Sequence, residues 1–158
     1  MSVVIFPPFT VHSENVEHVC SEYYFDSKTN NNWEYAEQCC KKERGYDGLV
    51  SMQTEREWVY FKNITTNITD EQKRALKKYR WFIGLRYFSY KWCWSSDPKA
   101  CINQTSNDEG NWRWNAGEPN HLRAEHCVEM FQGGKYNNID CKQGKGDTGF
   151  ICEKKVGM

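Results

Sequence analysis

The stretch "WNAGEPNHLRAEHC", Trp114–Cys127, decides how the rest of the chain is read. Glu118, Asn120 and Glu125 stand in it among glycine, proline and histidines, and it closes on a cysteine. A second stretch, "YNNIDC" (Tyr136–Cys141), adds the amides Asn137 and Asn138 before another cysteine. Such a pair is either a cation site that grips a ligand or a polar loop pinned by a disulfide. Glu118, Asn120, Glu125 and Asn137 carry the carboxylate and amide oxygens that a hard cation wants.

Working outward, the 158 residues fit one domain (1–158, with a core of about 20–154), long enough to bury a real core. Lys plus Arg number 21 and Asp plus Glu number 21, so nothing in the charge balance points to nucleic acid or an anionic membrane. Seven Trp and nine Tyr suit a loop-rich domain with amphipathic packing. The eight cysteines are Cys20, Cys39, Cys40, Cys93, Cys101, Cys127, Cys141 and Cys152. None forms a Cys-x-x-Cys pair, which argues against zinc and thioredoxin-like chemistry and for four disulfides. Three N-x-T sequons, at Asn63, Asn67 and Asn103, agree with passage through an oxidising secretory pathway. No apolar run is long enough to span a bilayer. "VVIFPPF" (3–9) is short, broken by Pro7-Pro8 and unlike a signal peptide, so a secreted chain or the extracellular domain of a cell-surface protein is expected.

Along the chain, 3–6 and 21–25 read as strands, and "DSKTNNN" (26–32) as a cap for a helix burying Trp33, Ala36 and Cys40. "TEREW" pairs Thr54 with Glu57 as a capping box for a second helix, with Trp58 and Phe61 inward and the sequons at 63–69 as its stop. Residues 70–79 suggest a short exposed helix. "WFIGL" (81–85), "YKWCW" (90–94), "CVEMF" (127–131) and "GFICEK" (149–154) read as strands. From Ser95 to Asn120 the chain is polar and loop-like, and a loop of that length is usually functional. The class is α+β.

The ordered set is W-x-x-A-x-x-x-C (Trp33, Ala36, Cys40), "GLVS" (48–51), "FIGL" (82–85) and W-x-W (Trp92, Trp94). It continues with W-x-x-G-E-P-N (Trp114–Asn120), the cysteines Cys127 and Cys141, and "FICEK" (150–154). Over roughly Cys20 to Lys154 this resembles the C-type lectin-like domain. The resemblance implies two helices packed on small antiparallel sheets with a long disulfide-stapled loop region. It implies the disulfides Cys40–Cys152 and Cys127–Cys141, with Cys20–Cys39 and Cys93–Cys101 as the other two. It also implies a cis peptide before Pro119, and places Trp92 and Trp114 in the core.

In such a domain Glu118, Asn120, Glu125 and Asn137 are expected to bond sugar hydroxyls. The same four with Asn138 are expected to hold one Ca2+. The E-P-N order resembles sites that take mannose, fucose, GlcNAc or glucose rather than galactose. Family members with intact calcium sites commonly show Trp-Asn-Asp where this chain reads Tyr136-Asn137-Asn138. Loss of one negative charge predicts a weaker ion site. His121, His126 and "RYFSYK" (86–91) stand where an accessory calcium site would need acids, so that site is expected to be missing. The expected function is a calcium-dependent carbohydrate-binding module whose partners are glycans or glycoproteins. The alternative is a calcium-independent domain binding a cell-surface protein. No enzyme is expected: Glu118 and Glu125 could imitate a glycosidase acid pair, but on this scaffold they serve better as ligands.

Overall fold

The computed structural model describes residues 4–11, 19–26, 31–67, 80–102 and 113–157. The expected helix at 70–79 and the sequon residue Asn103 lie outside them. Among the described residues, nine strands and two α-helices run β1 (Val4–Val11), β2 (Val19–Asp26), α1 (Trp33–Gln38), β3 (Gly48–Leu49), α2 (Glu55–Thr66), β4 (Arg80–Phe88), β5 (Lys91–Trp94), β6 (Asp97–Ile102), β7 (Cys127–Phe131), β8 (Tyr136–Ile139) and β9 (Thr148–Gly157).

Both helices begin where their caps predict. The Asn32 side chain accepts from the Tyr35 N–H at 2.7 Å, and Thr54 Oγ1 accepts from the Glu57 N–H at 3.1 Å. Each cap satisfies a donor that the first turn leaves free. α2 ends within the sequon stretch, as expected: Asn63 lies exposed in its last turns, and Asn67 is its C-cap. After α1 the chain widens into a π-helical turn, Cys39–Glu43.

The strands form one connected network rather than separate small antiparallel sheets. Its main order is β1-β2-β9-β4-β5-β6, with β3 on β9, and with β7 bridging β4 and β8. β4 and β9 pair in parallel, Trp81 opposite Gly149 and Phe82 opposite Phe150. β3 takes the next part of the same edge of β9, Leu49 opposite Cys152. β3 and β4 are therefore crowded together, and Gly84 relieves the crowding. A Cβ there would lie 2.7 Å from the Leu49 carbonyl oxygen.

The helices cover opposite faces of this sheet. Trp58 and Phe61 of α2 pack with Tyr23, Phe25, Trp81, Ile83 and Met130; Trp33 and Ala36 of α1 pack with Tyr24, Leu49, Phe82 and Phe150. Alternate residues of β2 and β4 thus go to different cores. Burial on both faces is why "WFI" is apolar without interruption. Trp92 and Trp114 are core residues, as expected.

Among the described residues three disulfides form: Cys40–Cys152, Cys93–Cys101 and Cys127–Cys141. The second closes the hairpin of β5 on β6, a strand inside the stretch expected to be irregular. The expected Cys20–Cys39 bridge is not formed. Cys39 carries a free, buried thiol whose Sγ donates to Glu43 Oε2 at 3.2 Å. It packs in the cluster that holds Tyr24, four residues beyond Cys20 on β2. At ~3.3 Å per residue that is about 13 Å along the strand, and bridged Cα atoms stand within about 7 Å.

Candidate ligand-binding loop

Residues 113–126 form a loop tied down at both ends. Asn115 N–H donates to the Tyr136 carbonyl at 2.8 Å, and Tyr87 N–H to the His126 carbonyl at 2.8 Å. The Cys127–Cys141 disulfide joins the start of β7 to the residues just beyond β8. Between these anchors the Glu118–Pro119 peptide is cis. Two turn bonds, Ala124 and Glu125 N–H to the His121 carbonyl at 3.0 Å each, fold the distal part back.

Glu118, Asn120, Glu125 and Asn138 come together here. Asn120 Nδ2 donates to Glu118 Oε1 at 3.0 Å. Glu118 Oε2 is shielded from water and has no hydrogen-bond partner. Burial pushes the Glu118 carboxyl above the usual carboxylate range, and the Glu125 carboxylate pushes it further. Two acids that repel each other, one with a free buried oxygen, make a place where positive charge or a donor is wanted.

Asn138, only 1% exposed, sits beneath them. Its Oδ1 accepts from the Asn120 N–H at 3.0 Å, and its Nδ2 donates to the Glu125 carbonyl at 3.0 Å and to the Asn120 carbonyl. Asn137 is not in this group. Strand side chains alternate faces, and its Nδ2 donates instead to Glu129 Oε1 at 3.1 Å on the other side of β8. His121 is exposed; His126 Nε2 lies 2.5 Å from the Leu122 carbonyl oxygen, and its ring stands 5.6 Å from that of Tyr87. The part of Glu129 could have been read from "CVEMF": an acid in mid-strand between apolar neighbours needs buried donors.

A calcium ion takes six to eight oxygens. Glu118 Oε2, the Glu125 carboxylate and the Asn120 amide oxygen fit such an ion. Asn138 does not, because its nitrogen faces the two carbonyls and its oxygen is occupied. Among the described residues no three His, Cys, Asp or Glu side chains gather as a metal site, so amide and ligand oxygens would have to complete the shell. The donor set fits a weakly held ion.

Apart from the loop, a groove of about 560 Å³ runs between α1 and β4–β6, lined in part by Trp33, Glu37, Arg86, Phe88 and Trp94. Phe88 and Tyr90 at the β4–β5 turn are 73% and 91% exposed.

The Lectin C-type domain model matches residues 29–154. E-selectin of Equus caballus is 29% identical over 127 residues, covering 77% of this chain and 18% of that protein. The chain thus spans less than a fifth of the length of the curated relatives it matches. The mouse scavenger receptor C-type lectin carbohydrate-recognition domain has the same fold, with a TM-score of 0.62 at 21% identity over 97% of this chain and 98% of that one. The cow C-type carbohydrate-recognition domain of CD23, determined in the presence of a GlcNAc2Man3 oligosaccharide, gives 0.59 at 23% identity over 95% and 100%. Matched over most of its length, the chain belongs to the C-type lectin domain family, a family of non-enzymatic binding modules.

Proposed function

We propose that this chain is an extracellular carbohydrate-binding module that reads vicinal sugar hydroxyls at Glu118, Asn120 and Glu125, with mannose, fucose or GlcNAc as the preferred class. The observation that carries this is the free, buried Oε2 of Glu118 beside the Asn120 amide. A hydroxyl can donate to that oxygen while accepting from an amide N–H. Calcium is the cofactor, held weakly by Glu118, Asn120 and Glu125; when bound it supplies a positive centre for hydroxyl oxygens. Glu118 and Glu125 then orient the sugar by accepting hydrogen bonds from its hydroxyls. Asn137 is omitted from the set because it would have to leave Glu129 to join it. The disulfides support an oxidising compartment for the module.

Competition on immobilised mannan tests the assignment. Free mannose should displace the protein, and galactose should not. Chelation should weaken retention. Galactose outcompeting mannose would overturn the sugar class. A second reading, a protein partner, is favoured by exposed Phe88 and Tyr90. It predicts that Tyr90→Ser weakens capture by a cell-surface protein while retention on mannan is unchanged.

A further inference from the structure

The Asn138 side chain makes three hydrogen bonds to two points of the loop backbone, one 18 and the other 13 residues before it in sequence. It joins the Asn120 peptide, just after the Glu118–Pro119 turn, to the Glu125 carbonyl, just before β7. The amide's orientation follows from its partners. Two carbonyl oxygens can only accept, so the nitrogen must face them; the Asn120 N–H can only donate, so the oxygen must face it. Both Nδ2 hydrogens are used, and the group is buried, where such bonds hold best.

A cation would gather the same kind of atom. Carbonyl oxygens turned toward one point repel one another unless something positive or hydrogen-bearing sits between them. The Asn138 NH2 is that group here. A carboxylate at the same place would set two more oxygens against those carbonyls and would hold the loop only around an ion.

We infer that Asn138 is a positioning residue that closes this loop without calcium, its amide taking over the gathering of the Asn120 and Glu125 carbonyls that an ion would perform. Calcium then adds charge for a ligand but does not order the loop. The inference concerns the loop's own structure and stands apart from the sugar assignment.

Hydrogen exchange read by mass spectrometry on peptides spanning 115–127 and 136–141 tests it, in 10 mM calcium and in chelator. For the wild-type protein, protection of both peptides should agree within about twofold between the two conditions. Asn138→Asp should lose protection by tenfold or more in chelator and regain it in calcium. Asn138→Ala, which removes the bonds without adding charge, should lose protection in both conditions. A wild-type loop that gains tenfold or more protection from calcium would overturn the inference. So would Asn138→Asp with wild-type protection in chelator. If neither variant folds, the wild-type comparison alone still decides. Sugar binding is not read, so a failed mannan assay with a chelator-insensitive loop removes the sugar assignment and leaves Asn138 in its role.

Discussion

Asn137 and Asn138 are adjacent on β8, yet they serve two polar clusters that differ in one respect. On one face, Glu129 is fully buried and fully used. Its Oε1 accepts from Arg80 at 3.3 Å and Asn137 at 3.1 Å, and its Oε2 from Thr148 Oγ1 at 2.9 Å. On the other face, Glu118 has one oxygen bonded to Asn120 and one with no partner. A buried carboxylate whose oxygens are all occupied is a structural part. One held next to a second acid with an oxygen to spare is incomplete, and the proposed ligand would complete it.

The largest effect expected from this contrast is on stability. Glu129→Ala leaves Thr148 and Asn137 without their acceptor and Arg80 without a buried counter-charge. It should cost about 3 kcal/mol or more in urea denaturation. A cost under about 1 kcal/mol, the range of surface pairs, would break the distinction.

Glu153 sharpens it from a third position. Its Oε1 accepts from Ser51 Oγ at 2.9 Å, and its Oε2 is buried without a partner, as in Glu118. Here burial pushes the carboxyl up to about 7, so a proton, not an ion, satisfies the oxygen. The folded-state value lies above the unfolded one. The stabilisation from the protonated form is therefore complete below the ordinary carboxylate range and is lost as pH rises through about 7. Denaturation at pH 5 and pH 8 should show that fall for the wild type. Glu153→Gln should flatten it and be the more stable protein at pH 8.

Next in size is Asn138→Asp. It puts a charge where the proposed ion site has a neutral amide, and calcium affinity should rise about tenfold, or roughly 1.4 kcal/mol. The mannose-over-galactose order should not change, because Glu118 and Asn120 are untouched.

The smallest effect is on the stability of Glu118→Gln. Ionised Glu118 is disfavoured by burial and by Glu125, so removing its charge should leave the midpoint at pH 7 unchanged or slightly raised, within ~0.5 kcal/mol. A clear destabilisation would make Glu118 another Glu129.

The residues that were legible in the sequence are those whose burial is fixed by periodicity or by covalent chemistry. "WFI" announced a strand buried on both faces, Asn32 and Thr54 announced helix starts, and E-P-N announced the loop. β6 was hidden because none of its residues is fully buried and the Cys93–Cys101 bridge ties it to β5. The four-residue β8 was hidden by length, and with it the alternation that separates Asn137 from Asn138. Counting toward Cys141 places both amides near the loop. Only pairing with β7, Asn137 opposite Glu129 and Asn138 opposite Val128, shows which face each takes. The even cysteine count suggested four bridges, but a count carries no distances, and Cys39 packs too far along β2 to reach Cys20.

The most direct test of the contrast between a complete and an incomplete carboxylate is a calorimetric titration of calcium into the wild-type protein and Glu118→Gln. The account predicts saturable heat with a dissociation constant of about 0.1–1 mM or weaker for the wild type, and none for the variant. Equal heats from both proteins, or no binding to the wild type at tens of millimolar calcium, would contradict it.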